Sequence, residues 1–243
     1  MHLGILAHSA EGAALCFTAF CQEGSRLLGP WMHPEVTLDC IPMGRCMPAY
    51  DRGDYAEVRE VLVTSLRRLA AAGADFFVCP DNTAHLALET PGDDLPLPGL
   101  HIADIVAAEA ARTGRRHVGV LGTKYTMDGP IYPRVLAARG LTATLPGPED
   151  RDLINRIIFD ELVHGVFTEA SRNEYVRVID DLAARGCDSV ALVCTEIPLL
   201  VTPDVSPLPT LDSTRLLAHA ALHVAIGDDP RPTWRGGAIP RLT

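Results

Sequence analysis

The sequence predicts an α/β fold made of two pseudo-symmetric lobes, each a parallel-sheet sandwich, with the active site in the cleft between them. Three observations lead there. Short apolar runs alternate with amphipathic stretches along the 243 residues. The strand runs are apolar almost throughout, as strands buried on both faces require. The chain also repeats itself weakly, its matching segments lying 113–115 residues apart.

Strands are expected at 2–7, 36–42, 75–80, 117–122, 142–145 and 189–194. A helix is expected over 55–72, where Val58, Val61, Leu62, Ser65, Leu66 and Leu69 recur at helical spacing. The stretches 102–113, 131–139, 151–162, 174–185 and 213–226 show the same pattern. Gly73, Gly114, Gly140 and Gly186 follow helices where a left-handed cap is expected. The repeat lays AAAGADFFVCPDN (70–82) over LAARGCDSVALVCT (182–195), matching Gly73 with Gly186, Asp75 with Asp188 and Asp81 with Cys194. HLGIL (2–6) lies over HVGVL (117–121). The predicted first lobe comprises 1–98 plus 209–227 and the second 99–208. Residues 228–243, without periodicity, read as a flexible tail or an arm on a partner subunit.

Composition narrows the functional classes. Apolar residues at 47% and charged residues at 21% describe a globular protein with a core. A net charge of −10 lacks the basic stripe of a nucleic-acid groove, so no nucleic-acid partner is expected. Charges or turn residues interrupt every apolar run before membrane-span length, and the start lacks a signal-peptide pattern. The expected location is the cytoplasm. Seven cysteines without a CxxC pair fit reduced thiols better than a disulfide framework. No metal-ligand spacing stands out among the nine histidines, and no phosphate loop is present.

Ligands of parallel α/β sheets bind outside the carboxyl ends of the strands. Those ends carry His8-Ser9, Gly44-Arg45, Asp81-Asn82-Thr83, Gly122-Thr123, Cys194-Thr195-Glu196 and Asp212-Ser213-Thr214. Hydroxyls, amides and helix starts there suit a carboxylate. If the halves are related by a pseudo-twofold, Asp81 and Cys194 face each other, and two ionisable groups across one carbon can remove and return a proton on opposite faces. Each residue has a plainer alternative. Cys194 can be a core thiol, Asp81 an N-cap for the helix beginning near Thr83, Glu196 a turn cap, and His85 a satisfied helix histidine.

PDNTAH (80–85), VGVLGT (118–123), IFDELVHG (158–165), VCTEIPLL (193–200) and LDST (211–214) together resemble the aspartate/glutamate racemase superfamily, across nearly the whole chain before the tail. The resemblance implies two similar α/β lobes, a homodimer, no pyridoxal or other cofactor, and a small carboxylate-bearing substrate. It implies catalysis by Cys194, which matches the second family cysteine, and by Asp81, which stands where the first is usual. Ser9, Asn82, Thr83, Thr123, Thr195 and Arg45 become substrate-binding candidates, with Glu196, His85 and His8 in support. A carboxylate at 81 ordinarily holds its proton far less tightly than a thiol, so its surroundings have to raise its affinity. Cys79 is expected to lie buried below the site. The lysine usual in the segment matching 161–164 is missing, with Val163 at its place and His164 beside it, and HSAEG (8–12) replaces a glycine-rich turn. These departures point away from plain aspartate or glutamate. The leading expectation is a racemase or epimerase acting beside a carboxylate. Alternatives are an arylmalonate-type decarboxylase or maleate-isomerase or lyase using Cys194 alone, and an inactive binder of small acids.

Overall fold

The computed structural model describes residues 1–239 as two compact units, Met1–Ile105 completed by the segment from Thr214 onward, and Val106–Ser213. The first unit runs β1 (Leu3–Ala7), α1 (Ala10–Leu28), β2 (Val36–Cys40), a 3-10 turn (Met43–Arg45), α2 (Met47–Asp51), α3 (Tyr55–Ala71), β3 (Phe76–Val78), α4 (Ala84–Leu88) and β4 (Gly99–Leu100). Helix α5 (Ile102–Arg112) leads into the second unit, which holds β5 (His117–Leu121), α6 (Lys124–Met127), α7 (Ile131–Ala137), β6 (Thr142–Thr144), α8 (Pro148–Asp160) and a 3-10 turn (Leu162–His164). It continues with α9 (Glu169–Ala184), β7 (Ser189–Leu192), α10 (Ile197–Leu200) and β8 (Thr210–Asp212), after which α11 (Ser213–Ile226) carries the chain back.

Both sheets are parallel and four-stranded, in the orders β2-β1-β3-β4 and β6-β5-β7-β8. The repeat read from the sequence is physical. In the first sheet the N–H of His2 donates to the Asp75 carboxylate (2.8 Å) and the N–H of Asp75 to the His2 carbonyl (2.9 Å). In the second, the N–H of Arg116 donates to the Asp188 carboxylate (2.7 Å) and the N–H of Asp188 to the His117 carbonyl (2.9 Å). Gly73 and Gly186 precede them at φ +89° and +90°, a left-handed geometry that favours glycine. Gly4 packs under Leu69 and Gly119 under Leu182, so a glycine in each first strand admits a leucine from the helix before each third strand.

Strand alternation divides the first core. Leu3, Ile5, Ala7, Phe76 and Val78 pack with Cys16, Phe20, Leu217, Ala221 and Leu222 on one face. Leu6, Phe77 and Cys79 pack with Val58, Leu62, Leu66 and Leu69 of α3 on the other. In the second unit Leu121, Val190 and Leu192 bury against Ile154, Ile157, Tyr175, Val178 and Leu182 of α8 and α9. Side chains cap the helix starts: Ser9 for α1, Asp54 for α3 and Thr168 for α9.

The structure corrects several sequence expectations. β4 belongs to the first sheet and β8 to the second, so Gly99–Leu100 lies in the first unit and Thr210–Asp212 in the second, the reverse of the predicted division. At two and three residues these strands carry too little periodicity to read. Helix α1 is not among the expected helices; its buried face is mostly small residues, Gly12, Ala13, Cys16 and Gly24 beside Phe20. Residues 44–55, where no helix is expected from the sequence, are mostly helical: Cys46, Ala49 and Tyr50, spaced i, i+3, i+4, are buried. The segment 228–239, read as a tail, lies on the first unit. Trp234 forms an antiparallel bridge to Gly99, and the N–H of Leu95 donates to the Arg235 carbonyl (2.9 Å). Residues 240–243 of that segment lie outside the described residues. Among the described residues, no helix is long and apolar enough to cross a membrane. Beyond α1, Trp31 is 94% exposed and has a positive φ of 67°, with its N–H donating to Ser25 Oγ at 3.0 Å.

A Cβ on Gly99 would sit 2.3 Å from the Phe77 ring. Gly99→Ala is therefore expected to lower stability by about 1–3 kcal/mol through overpacking, measured by urea unfolding, while Gly114→Ala, whose site is open, loses only the cost of its positive φ.

Candidate active site

In the first unit, β3 ends at Val78 and delivers Cys79, Pro80 and Asp81 to the sheet's carboxyl edge. Cys79 continues the strand alternation into the α3-side core and is fully buried. Burial pushes its thiol far up, and the neighbouring Asp81 charge adds to that. It is a core thiol. Asp81 itself is half-buried, and its Oδ1 accepts the N–H of Ala84 (3.0 Å) at the start of α4. The alternative role as a cap is thus realised, with one carboxylate oxygen engaged this way. Asn82 is buried and Thr83 half-buried beside it.

The Asp81 charge reaches further than the sequence suggests. The Tyr50 phenol is pushed far up, mainly by burial and next by Asp81. The Cys46 thiol is raised by burial, then Asp81, then Glu57. Tyr50 thus keeps its proton, and its Oη lies 3.1 Å from His8 Nε2, a hydrogen bond that gives the buried His8 a partner. Tyr50 and Cys46 are not among the expected site residues because no helix is expected around them. Ser9 Oγ accepts the N–H of Gly12 (3.3 Å) as cap of α1, and its hydroxyl proton can still be donated. Arg45 lies exposed on the 3-10 turn Met43–Arg45 and has no side-chain bond to any of these groups.

His85 is a structural histidine. Its Nδ1 lies 2.8 Å from the Asp81 carbonyl oxygen, which can only accept, so Nδ1 carries the proton. Nε2 then accepts the N–H of Ile102 at 3.4 Å. Burial, with His101 next to it, holds the imidazole's proton affinity well below the usual range, so the ring stays neutral.

The second unit repeats the construction with sulfur in place of the carboxylate. β7 ends at Leu192, and the N–H of Val193 donates to the Leu121 carbonyl (2.7 Å). Gly122 permits this crossing, since a Cβ there would sit 2.7 Å from Val193 Cγ2. Cys194 is half-buried and its Sγ–H donates to Glu196 Oε2 (3.0 Å). Glu196 is 4% exposed, so this thiol is a bonding partner of a buried carboxylate. Thr195 is buried between them. Short helices start at equivalent places, α4 three residues after Asp81 and α10 three after Cys194. The Ser213 hydroxyl donates to the Leu192 carbonyl (3.0 Å), tying LDST to the base of the Cys194 loop. Thr123 Oγ1 accepts the N–H of Thr126 (3.3 Å) as cap of α6.

Beneath Cys194 lies Tyr175, a residue the sequence reading did not single out. It is fully buried, its Oη has no hydrogen-bond partner, and burial, with Cys194, Glu196 and Glu161 adding their charges, keeps it protonated. In the segment 161–164, Glu161 accepts bonds from the Ser171 and Thr168 hydroxyls, Val163 packs on the core, and His164 is exposed. Among the described residues, no cluster of histidine, cysteine, aspartate or glutamate could hold a metal ion.

Two repeated parallel sheets, one followed by a carboxylate and the other by a thiol at the matching position, define a two-unit α/β protein. The chain belongs to the Asp/Glu/Hydantoin racemase family, whose model matches residues 19–221. It is 26% identical over 176 residues to the broad specificity amino-acid racemase RacX of Bacillus subtilis, covering 70% of this chain and 73% of the relative. A crystal structure of a provisionally named Asp/Glu racemase from Yersinia pestis superposes with TM-score 0.81 at 32% identity, covering 93% of this chain and 99% of the other. An aspartate racemase homologue from Pyrococcus horikoshii gives TM-score 0.80 at 25% identity, with the same coverage.

Burial and proton affinity together order the thiols. Brief iodoacetamide treatment of the folded protein, mapped by mass spectrometry, is expected to label exposed Cys40 and half-buried Cys194 first. Buried Cys16, Cys46, Cys79 and Cys187 are expected to label only on unfolding. Because the Cys46 and Cys79 thiols are raised, their thiolates stay scarce up to pH values where Cys40 already reacts.

Proposed function

We propose that this protein is a cofactor-independent racemase or epimerase that inverts the carbon next to a carboxylate, with Cys194 and Asp81 carrying protons on opposite faces. The observation that carries this reading is the equivalence of the two groups, each three residues before a short helix on matching sheets. In one direction the Cys194 thiolate takes the α-proton, the electron pair moves into the substrate carboxylate as an enolate-like intermediate, and protonated Asp81 returns a proton to the other face. The reverse direction uses the same groups in exchanged roles. Glu196, already bonded to the thiol, receives the sulfur's proton when the thiolate forms. Ser9, Asn82, Thr83, Thr123 and Thr195 supply hydroxyl and amide donors for the substrate carboxylate.

The substrate is an amino acid not restricted to dicarboxylates. The segment 161–164 offers no lysine for a distal carboxylate, Glu161 is occupied by two hydroxyls, and one relative bears a broad-specificity name. The capping bond of Asp81 favours one second reading, decarboxylation of a malonate with Cys194 alone protonating the carbanion. A homodimer belongs to the main reading. Phe17, Leu27, Leu28, Trp31 and Met32 are exposed large apolar side chains along and beyond α1, the kind of surface that a second copy would cover.

Proton NMR in deuterium oxide with a panel of amino and hydroxy acids tests the chemistry. The wild-type chain is expected to erase the α-proton signal and racemise the acid, and Cys194→Ala and Asp81→Asn to slow racemisation by about 10²–10⁴-fold. Unreduced exchange in Cys194→Ala would refute the thiol's role, and carbon dioxide release from arylmalonates unaffected by Asp81→Asn would establish the second reading. For the dimer, Trp31→Lys is expected to shift the protein to monomer by sedimentation at micromolar concentration.

A further inference from the structure

The C-terminal segment does more than cover the edge of the first sheet. Trp234 is anchored by its carbonyl, which accepts the N–H of Gly99 (2.8 Å), and by its indole N–H, which donates to the Gly237 carbonyl (2.8 Å). Gly236, at φ +91°, packs where a Cβ would meet Leu95 Cγ at 3.1 Å and the Leu88 carbonyl at 3.2 Å, so the turn that curls the chain around the indole needs glycine there. The ring so held lies parallel to the His85 imidazole, with centroids 5.8 Å apart and planes 11° apart. His101 closes on both rings edge-on, 4.5 Å from His85 and 4.9 Å from Trp234, and is itself held through Nε2 by Glu89 at 2.9 Å.

His85 holds the Asp81 carbonyl through Nδ1, while its own N–H donates to the Asn82 carbonyl (3.3 Å). These two bonds from His85 and the cap bond to Ala84 are among those that fix the short loop carrying the Asp81 carboxylate. An imidazole free to rotate could offer its other nitrogen and lose the carbonyl. The stacked indole opposes that rotation, together with the Ile102 N–H on Nε2.

We propose that Trp234 is a positioning residue for Asp81, acting through the orientation and tautomer of His85. The proposal rests on the reading of Asp81 as a proton carrier. It assigns the segment after α11 a part in the chemistry, although none of its described residues carries a proton in the reaction. Displacing a reacting group by about 1 Å can cost about 10²-fold in rate, so a small tilt of this loop suffices.

Two measurements on the full chain test it, each with Trp234→Ala and Trp234→Phe. The first is a long-range proton–nitrogen spectrum of ¹⁵N-histidine-labelled protein. His85 is expected as a single neutral Nδ1–H tautomer in wild type and Trp234→Phe, and as a mixture in Trp234→Ala. The second uses the amino acid that exchanges fastest in the panel above, α-deuterated in each enantiomer. Trp234→Ala is expected to lower kcat ten- to a hundredfold with KM nearly unchanged. Its deuterium isotope effect on kcat/KM is expected to rise only for the enantiomer that Asp81 deprotonates, the same one whose effect rises in Asp81→Glu, and Trp234→Phe is expected to restore wild-type values. General loosening would slow both enantiomers alike, so a symmetric isotope effect overturns the proposal. An unchanged tautomer in Trp234→Ala, or a Trp234→Phe as impaired as Trp234→Ala, overturns it too. If the wild-type chain exchanges no acid in the panel, the racemase reading fails on its own, and the tautomer spectrum alone decides whether Trp234 governs His85.

Discussion

Two aspartate carboxylates, Asp75 and Asp188, set the register on which both sheets depend. Each sits at the start of the third strand of its unit and accepts a backbone N–H from the start of the first strand, while its own N–H returns a bond to the same segment. A slip of one residue would exchange the two faces of the strand, sending Phe77 and Cys79 to the α1 side and Phe76 and Val78 to the α3 side. It would also turn the residue six positions later away from where it now emerges. The position of Asp81 and of Cys194 therefore follows from a carboxylate at the opposite end of each strand.

The same frame serves different chemistry in the two units. Around Asp81 the neighbours are groups kept neutral by burial: Tyr50, Cys46 and Cys79. Around Cys194 the partner is a buried carboxylate, Glu196, with neutral Tyr175 below. Each unit thus pairs one group able to carry negative charge at the strand end with a protonated phenol in the core behind it. The asymmetry lies in the side chain at the matching position, a carboxylate in the first unit and a thiol in the second.

Much of this was legible in the residues. The glycine–aspartate pairs announced the repeat because a left-handed cap and a carboxylate staple each demand a particular side chain at a particular place. Cys194 and Asp81 could be located because they follow those marks at a fixed distance. What could not be read is equally physical. Helix α1 buries Gly12, Ala13, Cys16 and Gly24 beside Phe20, so its inward face carries few of the large apolar side chains by which a buried helix face is recognised. Strands β4 and β8 owe their existence to neighbours distant in sequence. Tyr50 and Tyr175 are buried aromatic core residues by sequence, and only the charged groups that influence them in the fold distinguish them. The packing of Trp234 against His85 joins residues separated by most of the chain, and composition gives no hint of it.

The first unit is closed by residues that are synthesised after the whole of Val106–Ser213. Leu217, Ala218, Ala221 and Leu222 of α11 cover one face of its sheet, and Trp234 covers an edge, whereas the second unit is encoded without interruption between Val106 and Ser213. During synthesis the N-terminal strands must therefore wait, with an apolar face uncovered, while the middle of the chain can already collapse on itself. The order of birth and the order of completion run opposite ways, and the nascent N-terminal half is the part that calls for chaperone shelter.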